Sequence, residues 1–351
     1  MDLKNDTFLI RPIHPPEKTK TFVFYFNETY VKYFSVALLS LIARANPNNT
    51  YEIIVLYNQI SNEKQSVLQD LLPANFTIRF VCVVAYVEEV LGDLSAKMSS
   101  TQWDVSTFYV LLVPLLMPDY ERVLCCDSDI IFNKNPDELF DMSFDGKKLI
   151  AVTDSIKYAM YGEPVSKFVQ EQKLFINHEL NIQDLQYYFN AGVILFNIKA
   201  IDKENYLEKV LQSLSFPFLP FLDQDALNFI FKDDVKIIPL RFNFQYHLLN
   251  SLPSTVILKD IFSEYFAASK EPVIVHYTTP EKPWRNPGYS LGCLFWEYAR
   301  KSPFYEEIIY ENLIEKQEAS VLQIKHSLSF RIGRAITFIP RKVRDFMKTI
   351  K

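Results

Sequence analysis

The N-terminal part of the chain alternates between short apolar runs and stretches of helical periodicity. Residues 21–26, 51–57 and 77–87 are rich in β-branched and aromatic side chains, which favours strands. Residues 30–45 and 61–72 carry apolar side chains three and four positions apart, which predicts helices. This β-α-β-α-β order predicts a parallel sheet with right-handed crossovers, in which ligands bind beyond the carboxyl ends of the strands.

The remainder of the chain continues the mixed pattern. We predict strands at 122–126, 149–153, 189–197 and 273–277, and helices at 104–117, 221–228 and 294–318. Residues 156–186 have no clear period, and we expect them to be irregular. Without tandem repeats or low-complexity linkers, the pattern predicts one mixed α/β domain over 21–300. It lies between an arm at 1–20 and a helical extension at 301–351.

An acidic pair follows the apolar run Arg122–Cys126 directly. Asp127 and Asp129 flank Ser128, and in extended chain residues two apart point to the same side. Two carboxylates at the tip of a buried strand repel each other unless a positive charge lies between them. The tripeptide alone is typical of a solvated acidic turn, and its place after a buried strand makes a site for a divalent cation such as Mg²⁺ or Mn²⁺ the second open interpretation.

The amino-acid composition argues against several classes of protein. The chain has 351 residues, 49% of them hydrophobic, which favours a large packed core over disorder. Only 7 glycines are present, and neither G-x-G-x-x-G nor G-x-x-x-x-G-K-[ST] occurs, which argues against a Rossmann dehydrogenase and a P-loop NTPase. The four cysteines show no C-x-x-C spacing, and we expect adjacent Cys125 and Cys126 to be buried thiols in a reducing compartment.

Charge is distributed unevenly along the chain. The formal net charge is -5, yet the stretch after Glu318 carries eight Lys or Arg and one acid, Asp345. Residues 327–351 intersperse these charges with apolar residues around Pro340, which predicts two short amphipathic helices. We expect them on an anionic membrane surface, and docking on the domain is the alternative. Because the rest of the chain is acidic, we do not expect a nucleic-acid partner. Residues 1–6 lack an apolar signal region, so we expect a cytoplasmic protein, peripheral on the inner face of the cytoplasmic membrane.

Four short motifs occur together in a distinctive order. They are Asp127-Ser128-Asp129, Asn190-Ala191-Gly192, Asp223-Gln224-Asp225 and His276-Tyr277-Thr278-Thr279-Pro280-Glu281-Lys282-Pro283-Trp284. Between about Thr21 and Trp284 the chain therefore resembles glycosyltransferase family 8. This family comprises retaining nucleotide-sugar transferases, among them bacterial lipopolysaccharide galactosyl- and glucosyltransferases. The resemblance implies a GT-A-type, Rossmann-like α/β fold and a UDP-sugar donor.

The resemblance also implies roles for individual residues. Mn²⁺, with Mg²⁺ as the alternative, would be held by Asp127, Asp129 and His276. The donor nucleotide would be bound by Tyr25, Asn27, Thr29, Asp127, Ser128, Asp129, Thr279 and Lys282, with Lys282 at the diphosphate. The catalytic region at the donor sugar and its anomeric carbon would comprise Asn190, Asp223, Gln224 and Asp154, the last of which contacts the sugar or the acceptor.

The sequence departs from the family pattern at three places. Asn27-Glu28-Thr29 stands where the family has Asp-Asp-Asn or Asp-Glu-Asn, and a turn with a helix cap is the alternative interpretation. Val110 occupies the position of an arginine, so another basic residue replaces it, the donor sugar differs, or activity is reduced. Thr279 lies where glycine is frequent, and its side chain would crowd the backbone against the diphosphate.

The resemblance implies a retaining transferase that moves a hexose from a UDP-sugar to a saccharide or lipid-linked saccharide in lipopolysaccharide or other surface-glycan assembly. One catalytic route uses Gln224 or a neighbouring carboxylate as nucleophile. The other is same-face attack by the acceptor, with the β-phosphate as base. A UDP-sugar-binding homologue impaired by Val110 and Thr279 is the alternative function. A nucleotidyltransferase would leave His276 to Trp284 unexplained, and in a dehalogenase-like phosphatase the acidic pair normally follows the first strand.

Overall fold

A seven-stranded mixed sheet forms the centre of the protein in a computed structural model. The structure describes residues 13–16, 19–92, 105–160, 167–216, 219–246 and 259–314. The strands are β1 (Thr19–Tyr25), β2 (Thr50–Tyr57), β3 (Phe76–Cys82), β4 (Arg122–Cys126), β5 (Ile130–Phe132), β6 (Leu149–Thr153), β7 (Phe189–Asn197), β8 (Val235–Ile237), β9 (Phe244–Gln245) and β10 (Ile274–His276). The order in the large sheet is β3-β2-β1-β4-β7-β6-β8, and a small sheet has the order β5-β10-β9.

The direction of the strands changes in the middle of the large sheet. Strands β3, β2, β1 and β4 run parallel, as the β-α-β-α-β pattern predicts. Strand β7 is antiparallel to both of its neighbours, β4 and β6, and β8 is parallel to β6. As a result, β7 begins at the edge of the sheet where β4 ends, and this edge carries the predicted site.

Helices cover the sheet. They are α1 (Val31–Arg44), α2 (Asn62–Gln69), α3 (Val84–Leu91), α4 (Val113–Leu116), α5 (Asp137–Asp141), α6 (Ser155–Met160), α7 (Lys167–His178), α8 (Lys203–Ser215), α9 (Leu222–Phe231), α10 (Lys259–Lys270), α11 (Gly292–Ala299) and α12 (305–314). Short 3-10 helices lie at Glu28–Tyr30, Val105–Leu112, Leu185–Tyr187, Ile198–Ala200 and Leu240–Asn243.

Four sequence predictions of local structure were wrong. The strand expected over 77–87 ends at Cys82, and Tyr86, Val87 and Leu91 bury one side of α3 instead. Residues 156–186 are largely helical in the parts described, because α6 and α7 lie there. The helix expected over 294–318 is divided, since α11 ends at Ala299 and α12 starts only after Pro303.

The fourth error concerns the segment before β4. Residues 104–117 were predicted as one helix, but Val105–Leu112 is a 3-10 helix and α4 is a single turn. Pro114 has no N–H to continue the hydrogen-bond ladder, and β-branched residues such as Val110 disfavour helical rotamers. All of Phe108 to Val113 is buried in the main core.

Strands β1 and β4 provide the most completely buried part of the core. Phe22, Val23 and Phe24 have no solvent exposure, and neither do Cys125 and Cys126. Both cysteines are free thiols, as their alternation on a buried strand predicts. A strand buried on both faces fixes the position of the chain at its end, and hence of Asp127.

Two compact units make up the chain, 1–303 and 304–351. The first contains both sheets. In the second, the structure describes α12 and the residue before it, whereas the predicted basic extension from 315 onward lies outside the described residues. Most of the predicted arm, residues 1–12, also lies outside them, so the boundaries at 20 and 300 stay predictions. Within the described ranges, no helix is long and apolar enough to cross a membrane.

Candidate active site

Asp127 and Asp129 lie in the turn that joins the large sheet to the small one. The backbone N–H of Asp127 donates to the carbonyl of Gly192 on β7 (2.9 Å), which fixes the end of β4. After the turn, β5 pairs with β10 so that Ile130 lies opposite His276. The N–H of Tyr277 donates to the carbonyl of Asp129 (3.0 Å). The small sheet therefore brings His276 to the acidic pair across a long separation in sequence.

The side chains of Asp127, Asp129 and His276 converge on one point. Nε2 of His276 lies 3.3 Å from Oδ2 of Asp127 and 3.3 Å from Oδ1 of Asp129. The three ligand atoms are within 4.8 Å of one another. Two carboxylates and an imidazole suit Mn²⁺ or a similar divalent ion, so the residues present fit the metal that the sequence predicts.

Asn243 orients the histidine. Its Nδ2 donates to Oδ1 of Asn190 (2.8 Å), so its own Oδ1 faces Nδ1 of His276 and accepts a hydrogen bond from it (2.9 Å). A histidine that ligates a metal through one nitrogen typically donates through the other to an oxygen. Asn243 therefore directs Nε2 toward the two carboxylates.

Electrostatics at this point favour a cation. Burial lowers the pKa of His276, but hydrogen bonds to Asp127 and Asp129 outweigh burial and raise the pKa to about 9. Burial raises the pKa of Asp129, but the ammonium of Lys282 and the imidazole of His276 hold it well below its usual range. The negative field that keeps the imidazole protonated would also attract a divalent ion.

Gly192 makes room for this arrangement. A Cβ at this position would lie 2.1 Å from Cε1 of His276 and 2.7 Å from Oδ2 of Asp127. Neither neighbour can withdraw easily, because His276 is held by Asn243 and Asp127 by the strand end. The glycine of Asn190-Ala191-Gly192 is thus the residue that lets β7 pass behind the metal ligands.

Lys282 and a group of hydroxyls border the acidic pair. The Lys282 ammonium is largely buried and contacts the carboxylate of Asp129 and the carbonyl of Tyr277. The loop is anchored by Trp284, whose ring stacks on Tyr33 with centroids 3.9 Å apart. Buried hydroxyl oxygens without a partner among the described residues belong to Ser128, Thr278 and Thr279. Such groups are suited to an oxyanion, which would satisfy them.

A second hydrogen-bonded network lies beside the metal ligands. Asn190 Nδ2 donates to Oε1 of Gln224 (3.0 Å) and to Oδ2 of Asp154 (3.4 Å). Gln224 Nε2 donates to the same oxygen of Asp154 (3.0 Å). The other oxygen of Asp154 accepts the backbone N–H of Lys157 (2.9 Å) at the start of α6. The structure thus joins three residues that the sequence assigned to the sugar.

The remaining acids of α9 differ in their contacts. Asp225 accepts hydrogen bonds from the hydroxyl of Tyr188 (2.7 Å) and the N–H of Phe221 (2.7 Å), so it holds the N-terminal end of the helix. Burial raises the pKa of Asp225 to about 6. Burial and the charge of Asp127 raise the pKa of Asp223 well above its usual range. Asp223 therefore faces the metal end of the site, whereas Asp225 is structural.

Comparison with known proteins agrees with this geometry. Residues 21–288 match the model of glycosyl transferase family 8. The chain belongs to this family. Its members are sugar-transferring enzymes, so the protein is a glycosyltransferase with a GT-A-type fold.

Individual family 8 relatives are distant in sequence but similar in fold. Lipopolysaccharide 1,3-galactosyltransferase of Salmonella typhimurium is 27% identical over 220 residues, which are 60% of this chain and 59% of that enzyme. The bifunctional glycosyltransferase WbbM superposes with a TM-score of 0.75 at 26% identity, covering 86% of this chain and 53% of that one. The galactosyltransferase LgtC, solved in complex with donor and acceptor sugar analogs, has a TM-score of 0.59 at 24% identity, covering 81% and 96%.

The residues that were predicted to bind the donor nucleotide after β1 form hydrogen bonds within the protein. Oδ1 of Asn27 accepts hydrogen bonds from the N–H (2.9 Å) and the hydroxyl (2.6 Å) of Thr29. Asn27 is therefore the N-cap of a 3-10 helix. The Tyr25 hydroxyl donates to Oδ1 of Asp127 (2.8 Å). Asn27 thus caps this turn, and Tyr25 contacts Asp127 at the other end of the site, while nucleotide binding by Tyr25, Asn27 and Thr29 stays a prediction.

The two other departures from the family pattern have clear structural settings. Val110 has no solvent exposure and lies in the main core, so it cannot contact a ligand. Thr279 has φ +69°, in the left-handed region that disfavours β-branched residues. Glycine adopts this conformation without such strain, which agrees with the glycine that the family resemblance leads us to expect here.

Three residues of the site were missed by sequence reasoning. Asn243 orients His276, Tyr188 links Gln224 to Asp225, and Lys157 places a buried ammonium near Asp154 and Asp225. Asn243 and Lys157 lie outside the four motifs, and no spacing rule distinguishes them from ordinary polar residues. Tyr188 directly precedes the β7 strand, and its proximity to Asn190-Ala191-Gly192 was the one signal in the sequence.

Proposed function

We propose that the protein is a metal-dependent, retaining glycosyltransferase that moves a hexose from a UDP-sugar to a saccharide acceptor in lipopolysaccharide or other surface-glycan assembly. The observation that carries this proposal is the adjacency of two groups. Asp127, Asp129 and His276 form the metal end, and Asn190 connects it to the network of Asp154 and Gln224. The name of the Salmonella relative, a lipopolysaccharide galactosyltransferase, supports a hexose as the transferred group and a saccharide as the acceptor.

The metal end is suited to hold the leaving diphosphate. A divalent ion bound by Asp127, Asp129 and His276 would stabilise negative charge on the departing phosphates. Lys282 supplies a second positive charge, and the hydroxyls of Ser128, Thr278 and Thr279 supply donors. Together these groups would bind the diphosphate and stabilise it as the sugar leaves.

Gln224 bears on the choice between the two catalytic routes. Its Oε1 accepts hydrogen bonds from Asn190 Nδ2 (3.0 Å) and from the N–H of Ala191 (3.2 Å), so both of its lone pairs are engaged. A nucleophile needs a free lone pair directed at the anomeric carbon. We therefore favour same-face attack by the acceptor, with Gln224 and Asn190 positioning the sugar.

A UDP-sugar-binding homologue with impaired turnover is the second candidate. Val110 offers no hydrogen bond where relatives use an arginine, and Thr279 adds a side chain in the diphosphate loop. These two residues would weaken catalysis without removing the metal ligands.

A donor screen separates the two candidates. The protein is incubated with Mn²⁺ and UDP-glucose, UDP-galactose or UDP-N-acetylhexosamines, and released UDP is measured with and without saccharide acceptors. We expect release from at least one donor, rising with acceptor. Donor binding without release under every condition would contradict turnover and support the impaired homologue.

Asp129→Asn tests the metal role. Removing one of two carboxylate charges should reduce Mn²⁺-dependent UDP release at least about 100-fold, since metal ligands carry several kcal/mol of transition-state stabilisation. Circular dichroism should show an unchanged fold. The exposed Asp70→Asn is the matched control and should retain activity. Full turnover in Asp129→Asn would remove the metal from the mechanism.

We further propose that the basic extension holds the enzyme at an anionic membrane surface, where a lipid-linked saccharide would be presented. The charge pattern after Glu318 supports this placement.

A further inference from the structure

Lys157 is a buried lysine whose ammonium forms no salt bridge with any residue that the structure describes. Its side chain is 9% exposed, and its Nζ lies 3.0 Å from the centroid of the Phe221 ring. Within the described part of the chain, the Lys157 ammonium makes no salt bridge and no hydrogen bond. The backbone N–H of Lys157 donates a hydrogen bond to the side chain of Asp154, which lies just before the helix. Burying an ammonium is costly, so a lysine kept in such a place needs a compensating interaction.

The position of Lys157 ties it to the sugar end of the site. Its backbone N–H bonds Asp154, whose other oxygen accepts from Gln224 and Asn190. Phe221, which its ammonium covers, directly precedes the helix that carries Gln224. Both the main chain and the side chain of Lys157 therefore contact residues that border this network.

A purely structural role as counter-ion fits less well. Asp154 and Asp225 act on the charge of Lys157 through space, and each of their oxygens already accepts a hydrogen bond from a group other than the ammonium. Neither forms an ion pair with the lysine. Each acid is thus hydrogen-bonded without the ammonium, whose N–H groups have no acceptor among the residues that the structure describes.

We propose that the ammonium of Lys157 donates hydrogen bonds to a hydroxyl of the transferred sugar. This assignment rests on the proposed UDP-sugar donor. Lys157 would be a specificity-determining residue, since a site built to bind a hydroxyl strongly rejects an analogue that lacks it.

An enzyme–substrate double-mutant cycle tests the assignment. The dissociation constants of UDP-glucose, UDP-galactose and their four monodeoxy analogues are measured with Mn²⁺ for the native protein, Lys157→Met and the exposed control Lys167→Met. For one analogue, loss of the hydroxyl should weaken binding to the native protein about 10- to 100-fold, as expected for a hydrogen bond to a charged group. The same loss should be less than about 3-fold in Lys157→Met, while Lys167→Met should match the native protein.

Equal ratios for every deoxy analogue in the native protein and Lys157→Met would overturn the assignment. If Lys157→Met does not fold, Lys157→Leu, which likewise removes the donor, replaces it under the same criterion. Binding and UDP release are measured separately. Binding without release therefore counts against turnover only, whereas absence of binding by every UDP-sugar overturns both proposals.

Discussion

At the scale of single residues, Gly192 decides whether the metal ligands can meet. We expect Gly192→Ala to lower the free energy of unfolding by about 2 kcal/mol, because its Cβ would overlap His276 and must displace it. Mn²⁺ affinity, measured by calorimetry, should fall with it. Gly288→Ala is the matched control, since its Cβ would come no closer than 3.5 Å to another atom. Native-like Mn²⁺ affinity in Gly192→Ala would contradict the role of this glycine.

The buried charge of Lys157 should lower the free energy of unfolding of the native protein. Burial lowers the pKa of Lys157 to about 8, although Asp154 and Asp225 raise it, so its charged form is disfavoured in the folded protein. Below pH 8 the folded protein carries this cost in full. The cost diminishes as the pH rises from about 8 toward the ordinary lysine pKa of about 10.4, because the folded state then releases its proton first.

Lys157→Met should therefore be more stable than the native protein at pH 7, by about 1 to 3 kcal/mol. The difference should shrink toward pH 10. Urea unfolding at both pH values measures it. A counter-ion required for folding would give the opposite result, a destabilised variant at pH 7.

Sequence reasoning at this scale succeeded where chemistry is encoded in short motifs. The four motifs predict that Asp127, Asp129, His276 and Lys282 lie together, and these residues do meet. Asn243 was not foreseen, because its role depends on a contact with His276 that only the small sheet creates. A single asparagine in a strand-rich sequence carries no local sign of such a contact.

At the scale of elements, buried strands were predicted well and helical segments less so. Continuous apolar runs predicted β1, β2, β4, β6 and β7 within a few residues. The segment 104–117 failed because Pro114 and β-branched residues override a helical apolar period. The small sheet was only partly visible, since β5 and β9 are too short to be distinguished from their flanking turns.

The loop after β10 is the element where local strain can be tested. Thr279→Gly should raise the free energy of unfolding by about 1 kcal/mol, because it removes the left-handed penalty of a β-branched residue. Thr278→Gly is the control in the same loop. Thr278 does not have a positive φ, so the Thr278→Gly variant gains no relief of strain. Its free energy of unfolding should fall by about 1 kcal/mol, because glycine adds entropy to the unfolded chain. Thr279→Gly being less stable than Thr278→Gly would show that the loop is unstrained.

At the scale of the whole molecule, the family fold occupies most of the chain, and the charge asymmetry lies beyond it. Removing the residues after Glu318 should abolish binding to phosphatidylglycerol vesicles, measured by co-sedimentation, while the remaining enzyme stays folded. Binding by the full chain should weaken as salt is raised, because the attraction is electrostatic. Equal vesicle binding by the truncated enzyme would refute the role of the extension.

The hydrogen bonds that run from His276 through Asn243 and Asn190 to Gln224 and Asp154 have a fixed direction. Each amide must present its oxygen to one neighbour and its nitrogen to the next, so reversing one amide would reverse all of them. Substitutions along this series should consequently be epistatic, with effects that do not add. If Gln224 positions the sugar as proposed, a substitution there would also disturb Asn190 and Asn243, so a change of donor sugar should bring a changed environment of His276 with it.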